Sequence, residues 1–219
     1  MEQIKLQEMK HLVIVGAGGM GREVYWVATR SHGYGEEFDV KGFIDDDLTC
    51  LDGYEGYPPL LGTIDGYQIE EDDVFHCSIG DVKTKVAICE RLKEKGAKFQ
   101  TLIHKTAEIR PHTTFGDGCF VGEFAVVGTE AIIGENCLMQ AYSITSHDCR
   151  YGDYVRIDTH AVVVGGVEIK DRATVHTGAV VSHKVVVGED ATVAACSFVI
   201  KKVKPGTTVC GIPAKRLEF

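Results

Sequence analysis

A six-residue period, unbroken from residue 107 to residue 199, constrains this chain more than anything else in it. Stepping by six from Ile109 meets Phe115, Val121, Val127, Ile133, Met139, Thr145, Tyr151, Ile157, Val163, Ile169, Val175, Val181, Val187, Val193 and Val199. Only Thr145 and Tyr151 depart from an aliphatic, Met or Phe side chain. Two residues before each comes a small residue or Val, as at Ala107, Cys119, Ala125, Cys137, Ala161, Ala179 and Ser197. Glycine often follows the large residue, as at Gly116, Gly128, Gly152 and Gly188. A repeat this regular calls for a solenoid, in which each unit is stable only against its neighbours. Three hexads close one triangular coil of 18 residues. Small and large inward side chains fill its narrow interior. Parallel strands stack ~4.8 Å apart, so just over five coils make a prism about 25 Å tall.

Residues 11 to 102 follow a different grammar. His11–Val15 is a short apolar strand that runs into Gly16-Ala17-Gly18-Gly19-Met20-Gly21, and Arg22–Arg30 suits a helix. Val40–Ile44 is a second strand ending at Asp45 and Asp46, and Asp73–Ile79 is a third, ending at Gly80. Lys83–Lys95 reads as a helix with Val86, Ile88, Cys89 and Leu92 on its apolar face, and Lys98–Ile103 as a further strand. Alternating strands and helices imply a parallel sheet. The expected organisation is therefore an α/β, Rossmann-like domain over residues 1–102 and a parallel β-helix over 103–219. The opening Met1 to Lys10 carries no assigned function.

Composition excludes several partners. A net charge of −9 leaves no basic excess for nucleic acid. The eight cysteines show no CxxC pairing, and there is neither a secretory leader nor an apolar run of 18 residues. The expectation is a cytoplasmic protein with reduced thiols and no membrane partner.

Chemistry enters through the register. His147 lies two residues after Thr145, at a corner facing away from the core. One coil on, the same position is Gly165, and one further is His183. Stacking puts Gly165 ~4.8 Å along the axis from His147. A base and a close-approach backbone N–H thus become neighbours, which acyl transfer requires: His147 takes the proton of the attacking group and Gly165 N–H stabilises the oxyanion. Asp148 can orient His147 only if the chain turns between them, because adjacent residues of a flat strand face opposite ways. His160 and His176 fall on other sides of the prism and read as exposed or structural. Arg156, half a coil from His147, could meet that site only from a neighbouring prism. Thr177 and Ala195, 18 apart, stack on one side. In the first domain, Gly16-x-Gly18-x-x-Gly21 follows a strand and opens a helix, the context of a phosphate cradle. Such a motif alone suggests NAD, but the acidic strand end comes 29 residues after Gly16 rather than about 20 from the motif.

The hexad run, Ser146-His147-Asp148-Cys149, Gly165-Gly166 and the closing Cys210-Gly211-Ile212-Pro213-Ala214-Lys215 together resemble the hexapeptide-repeat acyltransferases. With the Gly-rich strand-turn-helix in front, the chain resembles the bacterial sugar O-/N-acetyltransferases. That group includes sialic-acid O-acetyltransferases and nucleotide 4-amino-sugar N-acetyltransferases. The resemblance implies a left-handed coil, acetyl-CoA as co-substrate without metal, and a homotrimer with sites between prisms. It implies catalysis by His147, Asp148 and Gly165, and CoA contacts at Arg156, Thr177 and Ala195, although relatives often carry His where this chain has Arg156. It places a nucleotide sugar at Gly18, Gly19, Met20, Asp45, Asp46, Ile79 and Gly80, although some relatives have His in place of Met20. The activity implied is acetylation of the 4-amino group of a nucleotide-linked amino sugar, with O-acetylation of a free sugar such as sialic acid as the alternative. Two rivals share the solenoid. A γ-type carbonic anhydrase would need three imidazoles on zinc, and His147, His176 and His183 lack the His-x4-His pair of that family. A non-catalytic assembly protein would have no use for His147, Asp148 and Gly165 together.

Overall fold

The computed structural model describes residues 9–218 and divides into two compact units that meet in sequence at Gln100 and Thr101. The opening residues Met1 to Glu8 lie outside the described residues. In the first unit, strand β1 (Lys10–Val15) is central to a parallel three-stranded sheet, flanked by β2 (Phe38–Ile44) and β3 (Asp73–Cys77). Helix α1 (Gly19–Ala28) follows β1 and α2 (Val82–Glu94) follows β3. Leu12, Ile14, Phe43 and Phe75 are fully buried. Near-continuous apolar strands are what a parallel sheet covered on its faces requires.

Two expectations need correction here. Residues Lys98–Ile103 do not add a fourth strand to this sheet. Phe99 makes one isolated bridge to Phe75, whereas Leu102 and Ile103 pair with Phe120 and Val121 and begin the solenoid. The reason is register: Ile103 lies six residues before Ile109 and extends the inward column by one hexad. On α2, Lys85 rather than Val86 shares the buried face with Ile88, Cys89 and Leu92. The spacing of three, four and seven that one helix face demands runs 85, 88, 89, 92.

The second unit is the parallel β-helix. Two-residue strands pair in parallel at intervals of 18, as in Leu138 with Phe120 and Arg156, and three faces carry sheets of eight, six and five strands. The inward column is sealed, with Val127, Met139, Ile157, Val163, Ile169, Val175, Val181 and Val187 at zero exposure. Thr145 and Tyr151, the two polar intruders, bond to each other through their hydroxyls at 2.8 Å inside this core. A buried hydroxyl without a partner is costly, and this pair supplies both partners at once. Cys119 and Cys137 donate to the Gly134 and Gly152 carbonyls at 3.0 and 3.1 Å, which suits the small inward position.

The corners are built one way throughout. Among the described residues, twelve non-glycine residues have φ between 54° and 62°, among them Phe124, Tyr142, Asp148, His160 and Lys184. Each stands three residues after an inward large residue, and in ten of them the N–H bonds the carbonyl of the preceding coil's corner, as Asp148 to Thr129 and Lys184 to Gly165, while Phe124 N–H donates to the Thr106 hydroxyl. Among the described residues, the residue just before each of the twelve makes no backbone–backbone hydrogen bond through its N–H, and Pro111 has none to make.

Candidate active site

His147 and Asp148 occupy one such corner, after the strand Ile144–Thr145. Asp148 takes the left-handed conformation at φ +58°, which Asp tolerates better than most residues. That turn swings its carboxylate back onto its neighbour. Asp148 Oδ2 lies 2.6 Å from His147 Nδ1, so the ring donates from Nδ1 and presents Nε2 as an acceptor. Both side chains are exposed.

One coil on, Gly165 is buried at a position where the corresponding His147 and His183 are exposed, because the imidazole lies over it. A Cβ built on Gly165 would stand 2.6 Å from His147 Cε1 and 3.0 Å from Cδ2, closest of all to Nε2. Any side chain there would expel the ring. The coils are also pinned directly: Gly166 N–H donates to the His147 carbonyl at 2.9 Å, and Gly166 takes the left-handed turn at φ +72°. At another corner, Asp153 and Asp171 carboxylates cap the equivalent N–H groups of Glu135 and Asp153. Among the described residues nothing accepts from Gly165 N–H. The corner therefore holds an oriented base and an unused backbone donor side by side.

Arg156 stands on a different face and is held by Asp158, Nε to Oδ1 at 2.6 Å. Asp158 is buried and also accepts from His176 Nδ1 at 2.8 Å, one coil away. Sequence reasoning missed Asp158, although its place two residues from Arg156 and 18 before His176 was available as a signal. Thr177 and Ala195 are exposed on successive coils of that corner. Among the described residues, no three His, Cys, Asp or Glu side chains gather as metal ligands.

In the first unit, the glycines of the turn divide by role. A Cβ on Gly16 would meet Ile79 and Ser78 at 2.9 Å, and one on Gly21 would crowd the Gly16 carbonyl. These two serve packing. Gly18 and Gly19 are exposed, and a Cβ on either would meet nothing within 4 Å. Gly18 N-caps α1 without a side-chain bond, and no acid stands in the first turn. Helix α2, by contrast, is capped by Asp81 on Thr84 N at 2.8 Å. The open start of α1 leaves its N–H groups and positive dipole end to a ligand anion. Met20 is half-buried beside it, and Ile79 and Gly80 are half-buried just past the end of β3. Asp45 fixes the turn, accepting from Ala17 N at 2.8 Å, while Asp46 Oδ1 accepts from Ile64 N at 3.1 Å.

Comparison with known proteins agrees with the fold. Residues 11–92 match the PglD N-terminal domain. The acetyltransferase domain of PglB from Neisseria gonorrhoeae FA1090, solved with acetyl coenzyme A, is 27% identical with a TM-score of 0.86, covering 96% of this chain and all of that one. WeeI from Acinetobacter baumannii AYE is 27% identical with a TM-score of 0.84, covering 96% of this chain and all of that one. PerB from Caulobacter crescentus, solved with CoA and GDP-perosamine, shares the fold at 24% identity, with a TM-score of 0.83 over 95% of this chain and 97% of that one. No curated protein sequence matches the chain. The hexapeptide-repeat fold and these likenesses mark the chain as an acyltransferase. Over nearly its whole length the chain is similar to these acetyltransferases, and its residues 11–92 match the PglD N-terminal domain.

Proposed function

We propose that the chain transfers the acetyl group of acetyl-CoA to the 4-amino group of a nucleotide-linked amino sugar. The observation that carries this reading is the His147 ring, held by Asp148 through Nδ1 and lying over Gly165. His147 Nε2 takes the proton as the amine attacks the thioester carbonyl. Gly165 N–H stabilises the oxyanion, and its lack of a side chain is what lets ring and donor share the corner. Asp148 holds the imidazolium that forms, and collapse breaks the C–S bond and releases CoA as its thiol.

Acetyl-CoA lies on the prism along Thr177 and Ala195. Lys201, Lys202, Lys204 and Arg216 line a cavity of about 340 Å³ that suits its phosphates. The nucleotide diphosphate sits at Gly18, Gly19 and Met20, beside Asp45, Ile79 and Gly80. Asp46 Oδ2, which accepts from no described group, takes a substrate hydroxyl. The working form is a homotrimer. Outward positions Val126, Ile144, Val162, Val180 and Phe198 pair across one face of the prism as an apolar stripe, with Ile144 39% and Phe198 38% exposed. A stripe of this kind marks an interface, and a neighbouring prism there would bring its Arg156 to the donor. Among the described residues no helix is long and apolar enough to cross a membrane, and we place the enzyme in the cytoplasm.

Thiol release from acetyl-CoA across UDP-, dTDP- and GDP-linked amino sugars and free sialic acid tests the reading. Turnover is expected with a nucleotide-linked 4-amino sugar, and His147→Ala should lower kcat roughly 10²–10⁴-fold. Full turnover by His147→Ala, or activity only on the free sugar, would overturn it. Light scattering that found an active monomer would remove the trimer.

A further inference from the structure

Helix α1 carries the chain's one tryptophan on its outer side, where Trp26 is 53% exposed. Arg30 lies flat over the indole, its guanidinium carbon 3.1 Å from the ring centroid. Tyr57 approaches from the loop after β2 and is 37% exposed. Trp26, Arg30, Tyr57 and Glu55 line a groove of about 620 Å³. A second hollow of about 410 Å³ shares Trp26 and Tyr57 and runs past Arg22 to Gly19, at the open start of the helix. Arg22 itself stacks on Tyr54, 3.7 Å from the ring centroid.

Exposed indole and phenol rings beside stacked guanidinium planes form an adhesive surface, since each aromatic face left in water forgoes substantial burial. The surface is continuous with the phosphate-binding turn. From Gly19 to Trp26 a helix rises about 10 Å, roughly the span from a diphosphate to the base of the same nucleotide. Arg22 stands next to the helix start, where a phosphate needs a cation, with Glu23 lining the same hollow, and Glu55 stands at the far end, where a base offers N–H donors.

We infer that this groove holds the nucleobase of the sugar nucleotide, stacked against the Trp26–Arg30 wall and Tyr57, with Arg22 on the diphosphate. The inference rests on the proposed nucleotide-sugar substrate and adds the place and chemistry of its base. Asp45 is engaged with Ala17 N and Asp47 N, which leaves it a structural brace of the turn. Base–aromatic stacking is worth roughly five- to hundredfold in affinity per base, so losing one ring is a measurable loss.

Trp26 reports on its own site. Titrating the wild type with UDP, dTDP or GDP, excited beyond the nucleotide absorption, should quench its fluorescence saturably, and inorganic pyrophosphate should not. By calorimetry, Trp26→Ala should weaken the preferred nucleoside diphosphate about tenfold or more, with Trp26→Phe restoring part of the loss. Neither variant should alter pyrophosphate or acetyl-CoA affinity. Equal nucleotide affinity in wild type and Trp26→Ala, with Gly18→Val still weakening it, would overturn the inference and leave the nucleotide substrate standing. A wild type that binds no nucleoside diphosphate would remove both.

Discussion

Gly165→Ala isolates what the glycine does at the proposed catalytic corner. The substitution keeps the backbone N–H, and Gly165 is not among the positive-φ residues, so alanine fits the backbone there. The added methyl would lie 2.6 and 3.0 Å from the His147 carbons Cε1 and Cδ2. Carbon atoms rest about 3.5 Å apart or more, so the ring must retreat by roughly 1 Å. His147 is 58% exposed and can swing outward without disturbing the core, so thermal stability should barely change. A misplacement of about 1 Å in catalytic geometry costs on the order of 10² in rate, or about 2.7 kcal/mol. Steady-state thiol release should show kcat falling about 10²-fold while KM for acetyl-CoA holds. The double variant decides the cause. If the methyl acts only by displacing the imidazole, Gly165→Ala adds at most a few-fold loss to His147→Ala. A full 10²-fold further loss in that background, or an undiminished single variant, would refute the steric argument.

Asp148→Asn keeps a residue at ease at φ +58° but removes the charge, so kcat should fall less than in His147→Ala, with unchanged melting as the control. Gly18→Val places its side chain in open space, so it should raise KM for the nucleotide sugar and leave acetyl-CoA binding intact by calorimetry. Equal weakening of both ligands would end the two-site assignment. Burial, reinforced by the Lys85 charge, lowers the His76 pKa to about 3. The unfolded chain binds this proton near pH 6.5 and the folded one does not, so stability is full above that pH and declines on acidification toward pH 3. Its share of the slope is about 1.4 kcal/mol per pH unit. Denaturation followed by Trp26 fluorescence between pH 6 and pH 4 should show a shallower slope in His76→Gln, and identical slopes would exclude His76 as the cause.

The solenoid was legible because its rule is local and repeats: Ile157 or Val175 needs no knowledge of the rest of the chain to be placed inside. Thr145 and Tyr151 looked like faults in that pattern because periodicity registers single positions, whereas their bond is a property of the pair. The His147–Gly165 neighbourhood followed from counting, but the hold of Asp148 depended on a backbone angle that composition does not announce. The Lys98–Ile103 run carries strand chemistry in either setting, and only its phase with Ile109 assigns it to the prism. Trp26 was missed because a helix pattern is judged by its buried face, and the message of this residue lies on the other one.

The corner geometry has an evolutionary corollary. Most turns of the prism carry, one residue before the left-handed position, an N–H that stays out of the backbone ladder, so the backbone of an oxyanion seat recurs along the rod whether or not it is used. In the proposed mechanism, function is selected by two side-chain choices, a histidine in one coil and a glycine 18 residues on. Removing a whole coil elsewhere would shorten the rod and spare the catalytic corner. Removing a single hexad between His147 and Gly165 would carry them to different edges while leaving every inward residue correctly phased. Such a protein would keep its core pattern and lose its chemistry.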